Sequence, residues 1–553
     1  MQHVVYHNNN SHKKAHMILP HLPSSLTARK VTPLASVLGS TLLAMTLITP
    51  AAPVEARTLT LAIGDGPTEG FDPVMGWSHT GNPLFQSTLI QRTHDFSYEN
   101  ELIENYQISQ DGKTWTITLK PDRLFSDGSP LTSKDVAYTF NAAKNSAGKV
   151  NMGRFVSAEA PNAQTVVLHL SAPQSTFINV LASLGIVPAD KHGSDYAFHP
   201  IGSGPYTLVS YQPGQQMIME ANPHYQGKKN DFDKVVLLFM DEDSAYAAAQ
   251  TGQLDLVKIP QSLASVPVSG MKLLSHKSAD NRGIMFPMVR AGAKDKDGNP
   301  IGNDVTADVA IRKAINYVIN RQQLADQLLE GHAVPAFSAV YGLPWDAPDA
   351  AFKDGDVKKA IDILEQAGWK DTDGDGVREK DGVRAELTLW YTAGDTTRRE
   401  ISQAVREMVK PLGISMNLRS GSWDEVSRYM HANPVLFGWG SLDPSELYNH
   451  YHSSKRGVEF FNPGYYSNPA IDKQLDLAMN TPDWKTARSY WQQVNWNGKA
   501  GVGIQGDAAW AWLLNLQHTY LANPCLDMGN VPTEPHAYWS VLGNITDWKW
   551  TCQ

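Results

Sequence analysis

The sequence predicts an α/β protein of more than one domain, and three observations predict it. Short apolar strands alternate with amphipathic helices, the pattern of folds in which helices cover a sheet. The second half of the chain becomes richer in helix. At 553 residues the chain also exceeds what one hydrophobic core serves, so two or more domains of roughly 100–250 residues each are expected. With 42 % hydrophobic and 19 % charged residues, the composition is that of a folded globular protein and too apolar for disorder.

Taken in order, RTLTLAIG (57–64) alternates as a strand should, and GFDPVMGWSHTGNPL (70–84) follows as a Gly/Pro/Asn-rich loop. KTWTITLK (113–120) is a second alternating strand. Asp127-Gly128 makes a turn, and Thr132 caps a helix with Asp135 three positions on. Strands TVVLHL, YTLVSY and KVVLLFM then alternate with helices such as DSAYAAAQTG. NRGIMFPM (281–288) reads as a buried strand, and DVAIRKAINYVINRQQLADQLL (308–329) as one long helix. DVKKAIDILEQAGW carries Ile361, Leu364 and Ala367 on one face, and Gly368 stops it. A strand returns at AWLLNLQHTYLA (511–522).

Residues 1–56 have a composition of their own. Arg29 and Lys30 precede an apolar run of roughly 15 residues, and Val54-Glu55-Ala56 closes it in the A-x-A manner, which predicts a secretory signal peptide preceded by a His-rich extension. The run is broken by Ser36, Ser40, Thr41 and Thr46 and falls short of the roughly 18 residues that a membrane span requires. The remaining chain has 43 basic against 55 acidic side chains, a formal charge of −12. That sign argues against nucleic acid as a partner, because its binders present basic surfaces. The two cysteines, Cys525 and Cys552, are expected to pair in the oxidising compartment that export implies.

Two motifs look like chemistry, and each departs from its pattern at a position the chemistry requires. DTDGDGVREKDG (371–382) matches an EF-hand loop at Asp371, Asp373, Asp375 and Gly376, but its twelfth position is Gly382 where a bidentate glutamate is required, so a polar turn is expected. Gly64-Asp65-Gly66-Pro67-Thr68-Glu69-Gly70 has one residue too many for a dinucleotide fingerprint and a proline in its loop. H-E-x-x-H, G-x-S-x-G and P-loop signatures do not occur. No enzyme activity and no cofactor are expected.

Four stretches, LFSDGSPLTSKDVAYTF (124–140), IGSGPYTLVSYQPGQQMIMEANPHYQG (201–227), DVAIRKAINYVINRQQLADQLLEG (308–331) and DVKKAIDILEQAGWKDTDGDG (356–376), resemble in order and spacing the signature segments of the extracytoplasmic solute-binding proteins of the peptide and nickel ABC-importer family. The resemblance runs over about residues 57–553. It implies a two-lobed periplasmic-binding-protein fold with a hinge of two crossing strands and an extra subdomain in the first lobe. The crossings are expected near 281–288 and 513–521. Lobe I is then 57–285 plus 518–553, and lobe II 286–517. A monomeric periplasmic receptor that delivers its ligand to an inner-membrane ABC permease follows from the resemblance.

The ligand is read from finer matches. Peptide binders of the family hold the ligand's amino terminus with an aspartate in a G-W-x-x-D pattern, whereas Gly438-Trp439-Gly440-Ser441-Leu442-Asp443 places Leu442 there and Asp443 one residue later. GWSHTGNPLFQSTLI, VLFGWGSLDPSELYNHY, GDAAWAWLLNLQHTYLA and EPHAYWSVLGNITDWKW look closer to the nickel branch, whose ligand is a nickel ion already wrapped in small chelators such as free histidine. By that resemblance Arg398 holds the chelator's carboxylate, with Arg399 its nearest competitor, and His536 touches the metal. A guanidinium grips a carboxylate at two points and imidazole suits nickel, which fits both roles. In ELYNHYHS, a short helix opening with Ser445 as its cap turns His450 and His452 to different faces, so they are not a chelating pair, and His450 is the one expected in the pocket. Trp77, His79, Trp439 and Tyr448 complete the expected lining. A peptide receptor of the same class, and a secreted metal-dependent hydrolase, are the alternative readings.

Overall fold

The computed structural model describes residues 57–77, 84–146, 150–536 and 538–552. The expected signal segment 1–56 and His79 lie outside the described residues.

Three sheets organise the chain. The first has seven strands in the order Lys272–His276, His518–Ala522, Leu256–Ile259, Thr58–Ala62, Lys234–Leu238, Gln216–Ala221 and Tyr206–Gln212. Thr58–Ala62 runs parallel to both neighbours, and the outer pairs are antiparallel. Its alternation is what the sequence shows, with Leu59 and Leu61 fully buried.

The second sheet is the extra subdomain, four antiparallel strands in the order Ile103–Ile108, Thr114–Leu119, Thr165–Leu170 and Phe155–Asn162. Trp115, Ile117, Val166 and Leu168 face Phe140 of the covering helix Ser133–Asn145. The Asp135 carboxylate accepts the Thr132 N–H at 2.8 Å, so this helix begins where the sequence places it.

The third sheet orders Ala333–Pro335, Trp510–Leu516, Asn281–Met285, Val435–Phe437, Glu386–Thr392 and Ser415–Gly421. Its central strands Asn281–Met285 and Trp510–Leu516 are buried almost throughout because helices cover the sheet, which is why they read as apolar runs rather than alternations. Asn281–Met285, which the sequence reading placed at the end of lobe I, pairs in this sheet and not in the first.

The chain passes between the first and third sheets at 277–280 and again at Gln517. The two passages are tied together: Ser278 Oγ donates to Leu516 O at 2.6 Å and Leu516 N–H to Asp280 O at 2.7 Å. On another side the subdomain rests on the helix Pro469–Asn480, where Ser175 donates from its N–H to Met479 O (2.9 Å) and from its hydroxyl to Ala478 O (2.8 Å).

Two local expectations are corrected. The helix expected over 308–329 is two helices, Val309–Val318 and Arg321–Leu328, because Asn320 leaves helical geometry and caps the second, accepting the Gln323 N–H. Arg321 is thereby driven inward, fully buried between Phe337 and Phe352, donating to Ala336 O, Trp512 O and Asp354. The helix Ser445–Tyr451 is capped at Pro444, not Ser445, whose N–H instead donates to Asp443 Oδ1 at 2.8 Å.

The calcium-like loop is a turn in which Asp371 accepts the N–H groups of Gly374 and Gly376. Arg384 lies across it, bonded to Asp375, Glu379 and Glu386, and supplies positive charge there itself. Cys525 and Cys552 form a disulfide. Among the described residues, no helix is long and apolar enough to cross a membrane.

Candidate ligand site at the hinge

Three segments converge where the lobes join. The loop Gly438-Trp439-Gly440 leaves the strand Val435–Phe437 and lies against the first passage: Asn281 N–H donates to Trp439 O, and Trp439 N–H to Asn281 Oδ1, both at 2.9 Å. Gly440 has φ of 147°, and a Cβ there would sit 2.6 Å from Ala279 O, so this contact requires glycine. The C-terminal segment then adds itself alongside, with Ala279 N–H donating to Glu534 O (2.8 Å) and His536 N–H to Gly440 O (2.9 Å).

These contacts gather a set of charged side chains. Arg398 sits in the first turn of the helix Thr396–Val409, where Asp395 accepts its backbone N–H at 2.8 Å and pairs with its Nη1. It is 7 % exposed, its guanidinium carbon 5.6 Å from the Trp423 ring, and its Nε is buried without a hydrogen-bond partner. Arg399 is exposed. Gly438 leaves room for two guanidinium groups: a Cβ there would meet Arg282 Nη1 at 2.5 Å and Arg398 Nη2 at 2.8 Å. Burial, and next the neighbouring Arg282, lower the pKa of Arg398, which Asp395 opposes. Such a group gains from a further anion.

Arg282 is paired with Asp280, whose carboxylate is 1 % exposed. Burial alone would raise Asp280, but Arg282, His536 and His518 overcome it and hold the carboxyl well below its usual range. His536 Nδ1 lies 2.5 Å from Asp280 Oδ1, with 44 % of the imidazole exposed. His518 stands between Asp280 Oδ2 at 3.6 Å and Glu534 Oε2 at 2.7 Å. His276 and Tyr520 also reach Glu534, at 2.9 and 2.8 Å. Burial disfavours the charged form of His518, yet its bonds to Asp280 and Glu534 raise its pKa to about 9.

The structure therefore brings Arg398 and His536 to one cluster through Arg282 and Asp280. It distributes the other expected residues differently. Trp77 packs edge-on to Phe71 (5.0 Å) and Trp539 (5.5 Å) at the first sheet. Trp439 leads from the hinge loop into the third-sheet core, 5.1 Å from His450. His450 is 1 % exposed among Trp439, Trp510 and Trp512, with Glu446 at 3.3 Å; it is an interior residue behind Trp439, held there by the helix face that the sequence reading took for the pocket. Tyr448 stacks on His452 at 4.2 Å and donates to Asp476, facing the helix Pro469–Asn480. Asp443 is turned toward Arg92 and Asn179 of the subdomain side, and burial raises its pKa against their opposing effect. A separate cavity of about 450 Å³ lies within 87–124, 203–228 and 530–547 and includes none of the cluster.

Asp280, Arg282, His276, His518 and Glu534 were not singled out from sequence. For Asp280, Arg282 and His518 a signal was present, since SADNRGIM and NLQHTYLA set ionisable residues at the start of or within strands that read as buried, where they require partners.

Two lobes joined by a double passage, with charged groups converging on it, define a ligand-closing receptor of the two-lobed periplasmic-binding-protein fold. The chain belongs to the bacterial extracellular solute-binding proteins, family 5, whose middle-region description it matches over residues 97–459. Members are extracytoplasmic binding receptors, not enzymes, and pass small ligands to ABC permeases. Protein XP55 of Streptomyces lividans is 29 % identical over 485 residues, spanning 84 % of this chain and 85 % of that protein. The oligopeptide-binding protein AppA of Bacillus subtilis is 26 % identical over 441 residues, 74 % of this chain and 78 % of that one. Among solved structures, NikZ from Campylobacter jejuni in complex with Ni(L-His) gives a TM-score of 0.75 at 25 % identity, covering 89 % of this chain and 99 % of that one.

Proposed function

We propose that this protein captures a nickel ion already wrapped in a small organic chelator, such as free histidine, and hands it to an inner-membrane permease. The observation that carries the reading is the meeting of Arg398 with His536 through Arg282 and Asp280. Buried guanidinium suits the chelator's carboxylate, and the half-exposed imidazole suits the metal. One imidazole is too few ligands to hold a bare cation. Similarity to NikZ, solved with Ni(L-His), supports the same ligand class. In this reading residues 1–56 direct export to the periplasm, and the receptor acts as a monomer. Its first lobe is taken as 57–280 with 518–553 and its second as 281–517, the expected limit at 285 being shifted because Asn281–Met285 pairs in the third sheet.

A di- or oligopeptide is the second reading, favoured by the similarity to AppA. The carboxylate it would need, Asp443, already receives the Ser445 N–H and faces Arg92 and Asn179, so a ligand ammonium would have to displace them.

Titration calorimetry with nickel alone, histidine alone and the two together tests the proposal. Strong heat with the mixture and little with either component is expected. Equal heats for nickel with and without histidine would defeat the chelate.

A further inference from the structure

We propose that Asp280 is the positioning residue that fixes which nitrogen of His536 faces the ligand. The inference rests on the metal reading of His536 given above and extends it to a residue with no ligand contact of its own.

Asp280 is itself immobilised. Its backbone N–H donates to Ser278 Oγ at 3.0 Å, its carbonyl accepts the Leu516 N–H at 2.7 Å, and its carboxylate is held by Arg282 on one side and faces His518 on the other. The oxygen shared with Arg282 is the one 2.5 Å from His536 Nδ1. A carboxylate accepts and does not donate, so Nδ1 carries the proton and the neutral ring keeps its lone pair on Nε2. The His536 main chain is fixed independently, through its N–H to Gly440 O. A ring anchored at backbone and Nδ1, with 44 % of the side chain exposed, offers Nε2 as the one coordinating atom. A carboxylate behind a metal-binding histidine orients the ring and raises its basicity, and its loss weakens metal binding by about 10- to 100-fold. Asp280 also belongs to the passage between the sheets, so whatever holds His536 is attached directly to the hinge.

The test has two readouts. Long-range proton–nitrogen correlation spectra of the ligand-free protein, labelled with ¹⁵N-histidine and recorded where the ring is neutral, report the tautomer of His536, assigned by its loss in His536→Ala. Nδ1–H is expected in the wild type and Nε2–H in Asp280→Ala, which leaves Nδ1 without its acceptor; asparagine would keep an amide oxygen at the position that Arg282 and His536 share. Calorimetry with nickel plus histidine should show binding weakened about 10- to 100-fold in Asp280→Ala and at least as much in His536→Ala. An Nε2–H ring in the wild type overturns the proposal whatever nickel does, and this readout does not depend on whether the Asp280 variant folds. An Nδ1–H ring combined with wild-type affinity in His536→Ala overturns the metal reading, and with it the role of Asp280, while leaving the hydrogen bond intact. A tautomer that switches in Asp280→Ala without loss of affinity overturns the positioning role alone.

Discussion

His518 donates from Nδ1 to Glu534 across 2.7 Å inside the hinge, with both side chains closed off from solvent. A histidine that holds its proton more tightly when folded adds stability below its unfolded pKa of about 6.5 and loses it as pH rises through the folded value. With that value near 9, the window of loss is between about pH 6.5 and 9, and the amount is on the order of 3 kcal/mol. Denaturant unfolding across this range should show falling stability in the wild type and a flatter profile in His518→Gln. An equally steep profile in the variant would remove His518 as the cause.

Arg321→Met tests the buried guanidinium behind the helix break. Removing it leaves Asp354 and the carbonyls of Ala336 and Trp512 without their donor. Breaking a buried pair in this way costs about 3–5 kcal/mol. Urea unfolding should show a loss of that size, and a change below 1 kcal/mol would mean that methionine packing between Phe337 and Phe352 compensates.

Gly440→Ala places a Cβ at 2.6 Å from the Ala279 carbonyl in backbone that only glycine adopts comfortably. We expect a cost of about 1–3 kcal/mol. Ligand affinity should fall with it, because the displaced carbonyl of Gly440 receives the His536 N–H. Unchanged affinity would separate the loop from the site.

Ser175→Ala removes a hydroxyl that donates to Ala478 O between the subdomain and the helix Pro469–Asn480. If this contact exists only in the closed form, one hydrogen bond of about 1 kcal/mol weakens apparent affinity roughly five-fold. Small-angle scattering of the ligand-free variant should show a larger radius of gyration than the wild type. Identical scattering and affinity would make the contact independent of closure.

His536→Ala should weaken nickel–histidine binding more than either His450→Ala or His452→Ala does. His450→Ala should instead lower stability, since it empties a site among Trp439, Trp510 and Trp512. Calorimetry beside thermal unfolding distinguishes the two effects.

What was legible in the sequence follows from locality. Strand alternation at Thr58–Ala62 and Thr114–Leu119, and the Thr132/Asp135 helix start, depend on neighbours within a few residues and stood where expected. The break at Asn320 did not show, because asparagine inside a helical pattern is ordinary. What fixes it, Asp354 accepting the Arg321 N–H, comes from a distant segment. Arg398 and His536 were named by resemblance rather than by spacing. That His450 lies buried among Trp439, Trp510 and Trp512 was not legible, because the helical pattern alone does not say which neighbours a face meets. The Asp280–His518–Glu534 network escaped because the sequence marks Asp280 and His518 as needing partners without saying which, and only the fold assembles them.

The central claim is a chelated nickel held between Arg398 and His536. Anomalous diffraction at the nickel edge, from crystals grown with nickel and histidine, measures it most directly. The account predicts one nickel peak within bonding distance of His536 Nε2 and a chelator carboxylate on Arg398. A nickel ion enclosed wholly by protein side chains, or an extended peptide seated at Asp443, would contradict it.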